Sequence, residues 1–149
     1  MNQLFWNAYK RLEKEMLALS EVIHFSDDQL GVYSSKSGDL LVRTVIEVEG
    51  LSKQLYFDNG GPKSRDKHPY FDTDCLKFLE EKWSLSKKKI SVNSPYFYFE
   101  KDENLIYTPL DKAFNNGKDS SKWQRAYQAV KHDRCNNLED VISAIFFKH

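Results

Sequence analysis

Phe5, Tyr9, Leu12, Met16, Leu19 and Ile23 recur at steps of four and three, so they share one face of a helix, while Lys10, Glu13, Lys14 and Glu21 take the other. The spacing predicts a helix of about six turns whose apolar face must be buried against a partner. The next long segment, Leu40 to Tyr56, carries two patterns. Val42, Thr44, Ile46 and Val48 alternate as in a strand, whereas Leu41, Val45, Val48 and Leu55 fit a helical stripe. Seventeen residues without a breaker exceed the usual strand, which favours a helix. Apolar residues on more than one of its sides predict a central helix packed by several neighbours.

Between these segments, Phe25 to Gly38 reads as a connection, with Asp39 able to cap the second helix. Residues 58–70, rich in Gly, Pro, Lys and Asp, give the strongest loop signal. Asp72, Thr73 and Asp74 precede Leu76, Leu79 and Trp83, which predicts a third helix of about three turns running towards Ser84. Over residues 88–108, Ile90-Ser-Val92, Tyr96-Phe-Tyr-Phe99 and Leu105-Ile-Tyr107 are β-prone and are separated by the polar turn Lys101 to Asn104, as in a small hairpin or meander. Ser120 or Ser121 can cap a helix from Lys122 to about Asp133. Asn136 or Asn137 can cap a last helix bearing Leu138, Val141, Ile142 and Ile145.

The 149 residues suit one domain spanning 1–149, mainly α-helical, with the loop 58–70 and the hairpin region 88–108 as insertions. Lys+Arg and Asp+Glu balance at 22 each, so any electrostatic specificity must be local. No run approaches the ~20 apolar residues of a membrane span, and the chain opens directly on an amphipathic pattern, so no membrane partner and a cytoplasmic location are expected. Cys75 and Cys135 lack a CxxC partner or histidines at ligand spacing. Neither a metal nor another cofactor is expected.

The segment Trp123 to Arg134 carries the chemistry. On a helix, Arg125, Gln128 and His132 fall on one face, with Lys131 and Arg134 flanking it. A cationic stripe with one imidazole suits RNA cleavage, in which a ribose 2′-hydroxyl attacks its own phosphate. His132 could move the proton, and Arg125, Lys131 and Arg134 could hold the phosphate without a metal. Seven residues of helix rise about 10.5 Å, so Arg125 must reach along the surface to share a phosphate with His132, unless a second chain brings its own stripe opposite. The same run also reads as a solvated helix end. Alternating rings at Tyr96 to Phe99 are expected to pack on the core instead of stacking bases. The basic loop Lys63 to His68 and the run Lys87 to Lys89 matter to a phosphate partner only if they lie near His132. Glu47 and Glu49 fall on different helical faces, and His24 is expected to end the first helix.

Trp123, Tyr127, Val130 and Lys131-His-Asp-Arg134, followed by the helix Leu138 to Phe146, resemble the C-terminal helices of the HEPN superfamily, in particular bacterial members with a W…YN-x-V-KHDR pattern. The first long helix and the helix around Arg43 to Glu49 are similar to the N-terminal pair of that bundle, so the resemblance covers most of the chain. It implies an up-and-down helical bundle that often forms homodimers. It also implies, in many members, metal-independent endoribonuclease activity in toxin–antitoxin or phage-defence systems, with a cognate antitoxin or nucleotidyltransferase-type protein as partner. The family signature is an Arg, a polar residue and then a His about four to six residues on. With His132 as that His, the short spacing puts Tyr127 at the Arg position and Gln128 beside it, while Arg125 supplies the longest spacing. The implied catalytic set is therefore His132, Arg125 and Arg134, with Lys131, Gln128 and Tyr127 at the substrate. The rival expectation is a non-catalytic HEPN-like module for dimerisation or partner binding, in which Tyr127 marks a lost Arg.

Overall fold

The computed structural model describes residues 3–139 and 141–145. It is mainly helical, with one small antiparallel sheet. The first helix, α1 (Gln3–Leu19), buries Ala8 and Leu19 and half-buries Phe5, Leu12 and Met16. Tyr9, expected on the buried stripe, instead stays exposed and stacks on Trp6 with ring centroids 5.4 Å apart. The helix also stops before His24: Ser20 and Val22 turn back onto the carbonyls of Leu17 and Leu19, and Ile23 is buried from this turn.

The second helix, α2 (Ser35–Asp58), starts five residues earlier than Leu40. The cap is Ser34, not Asp39. Ser34 Oγ accepts the Ser37 N–H at 3.1 Å and Ser37 Oγ accepts the Ser34 N–H at 3.0 Å, so a serine plays the part usually taken by Glu or Gln in a reciprocal cap. α2 is the central helix: Leu40 belongs to one apolar cluster with Leu19, Phe25, Phe99 and Ile142, while Leu41 and Val45 belong to another with Leu76, Trp123, Tyr127 and Val141. Arg43 of α2 clamps Glu15 of α1 through two hydrogen bonds, one of 2.7 Å and one shorter, and this holds the Glu15 carboxyl below its ordinary range.

The third helix begins where Asp72 to Asp74 place it, but with a wider turn. Residues Phe71–Leu76 form a π-helix that runs into α3 (Lys77–Trp83). The Cys75 N–H reaches back to Tyr70 O at 3.0 Å, and Asp74 Oδ2 accepts the Tyr70 N–H at 2.8 Å. Ser84, in the left-handed conformation at φ 50°, ends α3.

In the 88–108 region, β1 (Ile90–Ser91) pairs antiparallel with β2 (Ile106–Tyr107), Ile90 opposite Tyr107. Tyr96 to Phe99 forms no strand of the sheet; the Tyr98 N–H bonds Phe25 O at 2.7 Å. Its rings divide as expected for core packing, with Phe97 and Phe99 packed in the cluster around Phe25 and Tyr96 and Tyr98 exposed. The expected polar turn is the short helix α4 (Asp102–Leu105). Asp27, from a distant part of the chain, anchors the residues leading into it, accepting the N–H groups of Glu100 and Lys101 and the side-chain amide of Asn104. The last helices are α5 (Lys122–His132) and α6 (Val141–Ile145); the expected continuation to Phe146 lies outside the described residues.

Phe25 is fully enclosed and meets Phe97 edge-on at 5.5 Å. Phe25→Ala should lower the unfolding free energy by about 3–5 kcal/mol in urea titrations, because the cavity is walled by rings that relax only in part. The bonds from Asn104, Glu100 and Lys101 lower the Asp27 carboxyl pKa, so its contribution to stability is present above the unfolded value of about 3.9 and is lost as pH falls through the depressed folded value. Asp27→Asn should therefore flatten the acid limb of the stability profile, measured by thermal unfolding between about pH 2 and 6.

Candidate functional site

α5 is oriented by its buried residues. Trp123 donates its indole N–H to Pro109 O at 2.8 Å. Gln124, only 5% exposed, accepts the Ser121 N–H at 2.8 Å and donates to Ala113 O at 2.9 Å. Ala126, Tyr127 and Val130 complete the face turned to α2 and Leu76. With these positions inside, the helical period leaves Arg125, Gln128, Lys131 and His132 on the outward side, all exposed.

The Arg125 guanidinium is fixed by the backbone just before the helix: Nη1 donates to Lys118 O at 3.3 Å and, at closer range, to Ser120 O. These are the last residues of a tight turn through Gly117, which takes the left-handed φ of 59° that a side chain would resist. Among the described residues Nη2 and Nε have no acceptor, which leaves their N–H groups for a ligand. Arg125 stands at the edge of an open groove of about 400 Å³ lined also by Phe71, Asp72, Asn116, Lys118 and Gln128. Tyr127 contributes to the wall of this groove, although it is 6% exposed, and Lys131 places its ammonium 5.8 Å from the Tyr127 ring centroid.

The groove thus unites three of the sequence-expected residues, Arg125, Tyr127 and Gln128. Lys131 and His132 continue the same outward side of α5 beyond its lining. Arg134 leaves this group: it lies on the turn after α5, where Nη2 donates to Asp39 Oδ1 of α2 at 2.5 Å. Gly38 makes room for Leu138 beside this pair: a Cβ there would sit 2.9 Å from Leu138 Cδ2, whereas Arg134 Nη2 would lie at an ordinary contact distance of 3.6 Å. The asparagines expected to cap the last helix instead close α5. Asn137 donates to Asp133 O at 2.6 Å and Asn136 to Asp133 Oδ2 at 2.8 Å. His132 is the last residue of α5, held between the packed body of the helix and this bonded turn.

Tyr127 is buried, so this position is closed to a charged side chain. A guanidinium at 127 would start from the core side of α5 and lose its water there, whereas 125 projects outward. The groove residues that sequence reasoning missed include Phe71, Asp72, Asn116 and Lys118. They come from a loop and a π turn that carry no periodicity, and the only local signal was the Asn-Gly pair at Asn116 and Gly117. Among the described residues, no group of three or more His, Cys, Asp or Glu side chains is placed to hold a metal ion, and no helix is long and apolar enough to cross a membrane. Compared with protein-family models, with curated proteins and with solved structures, the chain gives no match.

Proposed function

We propose that this chain is a HEPN-like helical protein that binds single-stranded RNA along the outward side of α5, and that His132 acts there as the proton-transfer group of a metal-independent cleavage. The observation that carries the reading is the state of Arg125: one nitrogen is tied to two backbone carbonyls, and the rest of the fork stands at a groove on the helix side that also carries Gln128 and His132. A guanidinium held by backbone loses little rotamer freedom on meeting a phosphate, and its planar fork matches phosphate oxygens. Lys118 and Lys131 add charge at either side of it, and Gln128 can bond a ribose or base edge. With Arg125 seating one phosphate, His132, about 10.5 Å further along the helix, would act at another: it takes the 2′-hydroxyl proton as that oxygen attacks phosphorus, the P–O5′ bond breaks to leave a 2′,3′-cyclic phosphate, and the leaving 5′-oxygen takes a proton from water. Two copies facing each other, as the resemblance implies, would bring a second imidazole and a second guanidinium to the same strand.

The rival reading, a non-catalytic partner-binding module of the same kind, is favoured by one observation. Arg134, a member of the expected catalytic set, is engaged with Asp39 instead of standing beside His132. The two readings separate in one set of assays. His132→Ala should abolish cleavage of a single-stranded RNA while leaving its affinity within about threefold, since a proton-transfer group contributes to the transition state more than to binding. Arg125→Ala should weaken RNA binding, measured by fluorescence anisotropy, by about tenfold and lower the salt dependence by about 0.7 in log–log slope, as expected for one lost phosphate contact. RNA binding without cleavage by the wild-type chain would leave the module reading. Cleavage retained in His132→Ala would remove the imidazole from the mechanism.

A further inference from the structure

Loop 58–70 is built more firmly than its composition suggests. Gly60, at φ 86°, turns the chain back over α2, and Gly61 comes so close to the Tyr56 ring that a Cβ there would lie 2.6 Å from its carbons. The Tyr56 hydroxyl then donates to Pro62 O at 3.0 Å, closing the loop stem. At the far end, the Asp74 carboxylate takes the Tyr70 N–H at 2.8 Å. Between these anchors lies a pocket of about 260 Å³ whose lining includes Lys63, Ser64, Lys67 and His68.

The cations of this pocket are held by rings. Lys63 Nζ lies 5.4 Å from the Phe57 ring centroid and Lys67 Nζ lies 5.3 Å from that of Tyr70. A ring face attracts an ammonium without taking its hydrogen bonds or cancelling its charge, in contrast to a carboxylate. Neither lysine is paired with a carboxylate among the described residues. Ser64 Oγ accepts the Asp66 N–H at 3.4 Å, and among the described residues its own proton has no acceptor. Asp74, the acid in the lining, already has an oxygen committed to Tyr70. Two ammonium groups, a hydroxyl and an imidazole face one carboxylate, Asp74, around the concavity, so positive charge and donors exceed acceptors, which favours an anion with several oxygens.

We propose that this pocket is a phosphate-binding site, distinct from the α5 groove, with Lys63 and Lys67 as the charge partners and Ser64 and His68 as further donors. Its position suits phosphates of a polynucleotide as well as a free polyphosphate. Pro69 and Asp74 line it, while Phe71 and Asp72 of the same π turn line the Arg125 groove, so one short segment separates the two concavities. π turns interrupt regular helices where a site needs an unusual backbone, and here one turn serves two depressions.

The test uses the whole chain and inorganic pyrophosphate as probe, followed by amide resonances in two-dimensional NMR. Saturable shifts centred on residues 62–70, with Tyr56 and Asp74 of the same lining, are expected, with an apparent Kd below about 10 mM. Lys63→Ala/Lys67→Ala should weaken binding at least about tenfold, and Lys63→Arg/Lys67→Arg should restore most of it, since both keep the charge. Absence of saturable shifts in the wild-type chain, or equal binding by the double-alanine variant, overturns the site whether or not the chain binds RNA. A parallel titration with single-stranded RNA assigns the source. Weaker RNA binding by the double-alanine variant supports backbone phosphates as the ligand, and unchanged RNA binding alongside lost pyrophosphate binding supports the pocket as a site for free polyphosphate.

Discussion

The burial of one side of α5 against α2 is the constraint on which the site depends. Trp123, Ala126, Tyr127 and Val130 cannot leave the core without exposing a large apolar area, and the indole N–H of Trp123 and the amide of Gln124 lock the rotation further through Pro109 and Ala113. Once that rotation is set, the helical period determines which residues point outward. Arg125, Gln128 and His132 face solvent for the same reason that Tyr127 does not. The chemistry of the groove is thus a by-product of core packing, with the loop carbonyls of Lys118 and Ser120 supplying the last element of order.

Charge obeys a similar logic. The chain has no net charge, yet its cations differ sharply in how they are held. Arg43 and Arg134 are matched by Glu15 and Asp39, and these pairs tie α1 and the turn after α5 to α2. Both pairs are largely solvated, so each is worth at most about 1 kcal/mol and acts mainly to set geometry. Arg125, by contrast, rests on backbone carbonyls, and Lys63, Lys67 and Lys131 rest on rings. Cations of the second kind keep their charge available to a ligand, and Arg125, Lys63 and Lys67 among them border the two concavities on either side of the π turn.

Much of this was legible in the sequence, because the helices are amphipathic. The length of the segment around Leu40 to Tyr56 decided helix over strand, and apolar residues on several of its sides marked it as central, as the two clusters around Leu40 and Leu41 bear out. Ser121 preceding Lys122 gave the start of α5, and the residue types from Trp123 to His132 gave its two faces. What failed to show was whatever depends on distant partners. Asp27 holds the lead-in to α4 from 73 residues away at Glu100 and 77 at Asn104, and Asp39 serves as a partner of Arg134 and not as a cap. Local patterns carry no record of such pairings. The resemblance to HEPN proteins rests on the same stretch of α5 and contributes the expectation of catalysis, whereas the placement of Arg125 comes from the geometry.

The most direct test of the account is to map, by two-dimensional NMR of the whole chain, which residues respond to a short single-stranded RNA. The account predicts the largest shifts at Lys118, Arg125 and Gln128, which line the groove, and at Lys131 and His132 beyond it on the same outward side of α5. Shifts centred instead on the depression of about 460 Å³ between α1 and α2, around Glu15, Leu19 and Arg43, or no response at all, would contradict it.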